Sequence, residues 1–162
     1  MLVVLSGLPG VGKTAVAHAL ARAIGAVHLR IDSIEQALRA NGIRVEGEGY
    51  AVAHAVAADN LALGCTVIAD CVNPWPLTRE AWRAVAERAG VSAVEVELVC
   101  SDPIEHRRRV ESRVADIDGH RLPTWREVVE RDYRAWDTPH LVLDTAQSSI
   151  DDGVRAITRA LS

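Results

Sequence analysis

Short apolar runs alternate with longer amphipathic stretches along the whole chain. Residues 2–5 (LVVL) are continuously apolar, the pattern of a strand buried on both faces. A glycine-rich turn follows, then a helical period over residues 13–24 that stops at Gly25. Residues 27–31 read as a second strand ending at Asp32, and Asp32-Ser33 as the cap of a short helix over 34–40. Residues 41–49 read as a loop, and the Ala-rich stretch 50–63, closed by Gly64, as a helix. A third strand is predicted over 65–69, running into Asp70, and a helix over 78–89 with Thr78 as its cap. The fourth strand falls at 93–100. Ser101-Asp102-Pro103 then starts a helix reaching about Arg113, with proline at the first helical position. After a polar loop over 114–123, Thr124 and Glu127 form a capping box that opens another helix. Residues 140–143 give the fifth strand, and residues 149–152 open the last helix. This alternation predicts one α/β domain over 162 residues with a mostly parallel sheet. Right-handed crossovers gather functional groups at the carboxyl edge of such a sheet.

That edge carries Gly7-Leu8-Pro9-Gly10-Val11-Gly12-Lys13-Thr14, a match to G-x-x-x-x-G-K-[ST] between a buried strand and an amphipathic helix. Its glycines let backbone N–H groups wrap a phosphate, and the helix that follows, with Ala15 in its first turn, adds its positive end. Lys13 is placed to reach the β- and γ-phosphates and the Thr14 hydroxyl to ligate Mg²⁺. Lys13 is also the sole lysine; every other strong cation is arginine.

Two acids follow strands. Asp32 suits a general base that takes a proton from an acceptor hydroxyl. Asp70, closing Val67-Ile68-Ala69-Asp70, suits an aspartate that holds Mg²⁺ through water. Tyr50, Asn73, Trp75 and Arg121 are candidate substrate contacts. Arg109 and Arg113 share a helix face and lead into the loop containing Arg121, so that a lid over about 113–124 would bring cations to the transferred group. Arg107 and Arg108 read as surface residues.

The composition narrows the alternatives. A net charge of −4 disfavours a broad nucleic-acid surface. No apolar run is long enough to span a bilayer, and no basic segment precedes residues 2–5, so neither a membrane span nor a signal peptide is predicted. Cys65, Cys71 and Cys100 form neither a disulfide framework nor a zinc motif, which suggests a reducing cytoplasm. The histidines show no metal-ligand spacing.

The order of motifs resembles the small P-loop kinases of the nucleoside-monophosphate-kinase-like group: the P-loop, Ile31-Asp32-Ser33, Val67-Ile68-Ala69-Asp70, then an arginine-bearing lid. Within it, the chain is most similar to the chloramphenicol phosphotransferases and their zeta-toxin-like and polynucleotide-kinase-like relatives. The resemblance implies a three-layer P-loop fold with a five-stranded parallel sheet in the order 2-3-1-4-5. It implies ATP and Mg²⁺ as cofactors, Asp32 as base, and Arg109 and Arg113 on ATP. It also places the loop after the last strand, with Thr145 and Gln147, on the adenine edge. One departure bears on the substrate. Residues 33–64 hold only Arg39 and Arg44 against Glu35, Glu46, Glu48 and Asp59, so a small hydroxyl compound without a phosphate is expected. A polynucleotide 5′-hydroxyl kinase and a non-catalytic ATP-binding regulatory module are the alternatives.

Overall fold

The computed structural model describes residues 1–161. Five parallel strands form one sheet: β1 (Leu2–Ser6), β2 (Val27–Arg30), β3 (Val67–Asp70), β4 (Ala93–Val99) and β5 (Leu141–Asp144). Their spatial order is β2-β3-β1-β4-β5, as expected. Among the described residues seven helices cover the faces: α1 (Lys13–Ile24), α2 (Ile31–Ala40), α3 (Glu48–Ala62), α4 (Pro76–Arg88), α5 (Pro103–Ser112), α6 (Trp125–Val129) and α7 (Ile150–Ala160). The arrangement is the α/β fold of P-loop NTPases.

β1 is the central strand and is wholly buried between β3 and β4. Its alternate side chains feed two cores. Leu2 and Val4 pack with Ala53, Ala57 and Trp82 beneath α3 and α4. Val3 and Leu5 pack with Val16, Leu20, Leu98 and Ile157 beneath α1 and α7. A strand covered on both faces has no polar side to display, hence its unbroken apolar run.

The capping signals at Asp102, Thr124/Glu127 and Ser149/Asp152 all form. Three helices begin earlier than their sequence signals suggest. α2 starts at Ile31, so Asp32 lies inside its first turn and caps nothing; Arg30 precedes the helix without a side-chain cap. α3 starts at Glu48, whose carboxylate accepts from the Glu46 and Gly47 N–H groups at 2.6 and 3.0 Å. α4 starts at Pro76; Thr78 stands one turn in and closes a capping box back onto Trp75.

Candidate functional site

The turn after β1 is built by contacts that only glycine tolerates. At Gly7 (φ +140°) a Cβ would stand 2.3 Å from the Leu98 carbonyl oxygen, and at Gly10 (φ +85°) 2.5 Å from a Val110 methyl. His106 on α5 donates from Nε2 to the Pro9 carbonyl at 2.8 Å, and Thr145 donates from Oγ1 to the Val11 carbonyl at 2.8 Å. Two carbonyls of the loop are thereby engaged by side chains of other elements. Leu8 and Val11 pack into the α1-side core and, with Gly7, lie behind the cavity; Pro9, Gly10, Gly12, Lys13, Thr14 and Ala15 line it. Lys13 is nearly buried and donates from Nζ to the Leu8 carbonyl at 3.0 Å. Burial depresses its pKa, opposed by the charges of Asp70 and Asp32.

Asp70 ends β3 directly under this helix start. Its Oδ2 accepts from Thr14 Oγ1 at 2.7 Å and from His28 Nε2 at 3.4 Å. Burial alone would raise the Asp70 pKa. The His28 hydrogen bond, the Lys13 charge and the Thr14 hydroxyl reverse that, so it sits below its ordinary value. A hydroxyl and an ionised carboxylate side by side are hard oxygen donors that suit Mg²⁺, which takes few protein ligands and completes its shell with waters and phosphates.

Asp32 lines the same cavity, which has a volume of about 1430 Å³. Its side chain is 40% exposed, open to an incoming group. The loop over 113–124 docks on α2 beside it. Arg30 donates to Asp116 through two bonds of 2.6 and 2.9 Å, and His120 Nε2 lies 4.0 Å from the Asp32 carboxylate. The Arg30 guanidinium holds the Asp116 carboxyl well below the usual carboxylate range.

The arginines divide as follows. Arg109 lines the cavity and reaches Thr145 Oγ1 at 2.9 Å and its carbonyl at 3.1 Å, tying α5 to the loop after β5. Arg113 also lines it, 3.6 Å from Asp116. Arg121 lies at the rim, mostly exposed and paired with Glu127 at 2.7 Å. Arg107 is paired with Glu111 and is a surface residue; Arg108 is paired with Glu105 but touches the cavity edge.

A smaller cavity of about 380 Å³ opens beside Gly12, lined by Val16, Asp144, Thr145, Ile150 and Gly153. Thr145, expected on the adenine edge, lines this cavity. Gln147 lies apart, its amide 3.4 Å from the Ser101 hydroxyl. On the acceptor side, Tyr50 and Trp75 line the large cavity. Trp75 is anchored through its indole N–H to Asp132 at 3.0 Å. Asn73, expected as a substrate contact, is instead fully buried: Nδ2 donates to Ser6 Oγ at 2.9 Å and its backbone N–H to the Tyr50 hydroxyl at 3.0 Å. Its left-handed backbone (φ +52°) turns the chain beneath the cleft wall.

His28, Arg30, Asp116 and His120 were not singled out by sequence. The alternation of Val27-His28-Leu29-Arg30 puts both polar residues of β2 on one face, the only local hint.

The chain matches the model of a family described as an AAA domain over residues 2–132. Curated proteins yield no match. Among solved structures, a Chloroflexus aurantiacus protein classed as a kinase is 21% identical, with a TM-score of 0.76 over 99% of this chain and 94% of that one. The APS kinase of Mycobacterium tuberculosis, solved with AMPPNP and APS, is 20% identical, with a TM-score of 0.69 over 99% and 96%. Chaetomium thermophilum Kti12, solved with ADP-AlF3, is 19% identical, with a TM-score of 0.72 over the full length of both chains. These likenesses establish the fold, and the family match, covering most of the residues that build the cavity, establishes that the chain belongs to the AAA domain family.

Proposed function

We propose that this chain is an ATP-dependent phosphotransferase that moves the γ-phosphate to a hydroxyl of a small molecule, an antibiotic or metabolite, with its nearest functional kin among chloramphenicol-phosphotransferase-like kinases. One observation carries the reading: the phosphate loop, the Thr14–Asp70 pair, Asp32 and two lid-side arginines all line one cavity. A nucleotide-binding module needs the first two; an exposed carboxylate on the same cavity is what acceptor activation needs. The likeness to kinases supports it.

In this reading the N–H groups of residues 10–14 and Lys13 hold the phosphates, and Lys13 swings from the Leu8 carbonyl to the terminal ones. Thr14 and Asp70 would hold Mg²⁺, which neutralises phosphate charge when bound. Asp32 takes the proton of the acceptor hydroxyl as its oxygen bonds to the γ-phosphorus and the bond to the leaving ADP breaks. Arg109 and Arg113 stabilise the transferring charge, and the docked loop excludes water. Thr145 borders the adenine site. Tyr50, Trp75 and Arg121 border the acceptor site. Both arginines of the acceptor-side segment are already engaged, Arg39 by Glu35 and Arg44 by Glu46. Within residues 33–64 a phosphorylated acceptor would thus find only arginines already paired with glutamates, which favours a neutral or cationic one.

Asp32→Asn tests the assignment. We expect ATP affinity within about twofold of wild type and phosphoryl transfer reduced by about 10² or more. Normal turnover by the variant would remove Asp32 from the chemistry. The likeness to Kti12 favours a second reading, a nucleotide-dependent regulatory module. That module would bind and slowly hydrolyse ATP, and Asp32→Asn would leave it intact.

A further inference from the structure

Beneath the phosphate loop, two histidines that the proposed reaction does not use, His18 and His28, stand beside Thr14 and Asp70. Thr14 and His18 stand one turn apart on α1, and His28 faces them from β2. The His18 and His28 rings meet edge to face with centroids 5.0 Å apart. His28 Nε2 then donates to Asp70 Oδ2 at 3.4 Å, the same oxygen that accepts from Thr14. His28 is 17% exposed and Asp70 3%.

The consequence is geometric. Asp70 lies at the end of a short strand, and its side chain has two-fold freedom about its last torsion. Two donors from different elements, one on the helix and one on the edge strand, converge on one of its oxygens. They turn the other oxygen toward the cavity that Asp70 lines. His18 wedges the His28 ring in place from the cavity side. We propose that His28 is a positioning residue for divalent-cation binding, orienting Asp70 so that its carboxylate and the Thr14 hydroxyl present their oxygens together. The inference rests on the nucleotide-binding reading above but concerns a residue that touches neither nucleotide nor acceptor. Partners of this kind orient ligands in other metal sites, and their loss weakens metal affinity by about 10- to 100-fold.

The test is binding of a fluorescent, non-hydrolysable ATP analogue with and without saturating Mg²⁺, for wild type, His28→Ala and His28→Gln, with melting temperatures alongside. In wild type Mg²⁺ tightens binding. In His28→Ala that gain falls by about tenfold while metal-free affinity is unchanged. His28→Gln, whose amide N–H can replace the imidazole donor, restores most of it. A full Mg²⁺ gain in His28→Ala overturns the proposal. So does an equal loss of metal-free and metal-bound affinity together with a lower melting temperature, which would make His28 a packing residue. Nucleotide binding by wild type that is indifferent to Mg²⁺ overturns the metal role alone. A wild type that binds no nucleotide overturns the phosphotransferase reading itself.

Discussion

At the scale of single residues, Asp70 shows how burial and function oppose each other. A carboxylate this deep is stable in its charged form only because His28, Lys13 and Thr14 surround it. Its folded pKa lies below its ordinary value of 3.8, so the stability it contributes is in place above that pH and is lost as pH falls through the folded value. Asp70→Asn should therefore have a flatter acid limb: melting temperatures measured from pH 6 to pH 3 should show wild type losing its margin over the variant as pH drops. Parallel curves would contradict the assignment of Asp70 as a charged, engaged group. Asp70 was legible because an acid closes an apolar run, and Lys13 because it sits in a spacing with one known use. His28 was not, since a histidine in a four-residue strand carries no spacing signal. The polarity of Asn73 suggests a ligand, whereas its left-handed backbone and its bond to Ser6 bury it beneath the cleft wall.

At the scale of elements, the helix starts that were readable are those closed by local side chains, such as Asp102 before Pro103 and Ser149 with Asp152. The start of α2 was not, because Arg30 has no local capping role: its guanidinium crosses to Asp116, 86 residues away. That pair docks the 113–124 loop on the acceptor-side helix, and no single-sequence pattern encodes it. Asp116 is half exposed, so solvent screening leaves the pair worth about 1 kcal/mol or less. We expect Asp116→Asn to raise the rate of tryptic cleavage after Arg113 and Arg121 by about fivefold while the global melting temperature moves by no more than about 2 °C. Unchanged cleavage would mean that Arg30 does not hold the loop.

At the scale of the whole molecule, the sheet order β2-β3-β1-β4-β5 brings the phosphate loop, Asp70 and Asp32 to one edge. The strand–helix alternation foretold a parallel sheet, and the family resemblance supplied its order. The long-range ties were invisible, and Arg79 is the largest of them. Fully buried on α4, it donates to the carbonyls of Asn73, Pro74, Arg134 and Ala135, and its guanidinium lies 4.1 Å from the Trp136 ring centre. It fastens the segment after α6 to the wall of the cleft. Arg79→Ala should cost about 3 kcal/mol in denaturant unfolding, through unpaired carbonyls and an unfilled space; a loss under about 1 kcal/mol would show that the segment holds itself. The edge that these ties support has one proposed purpose, phosphoryl transfer to an alcohol. Its most direct test is incubation of the protein with γ-labelled ATP, Mg²⁺ and pooled acceptors: antibiotics, nucleosides, sugars and a 5′-hydroxyl oligonucleotide. The account predicts label in a small-molecule pool, abolished in Lys13→Ala and Asp32→Asn. Label in the oligonucleotide alone, or ATP bound and released only as ADP and free phosphate with every pool unlabelled, would contradict it.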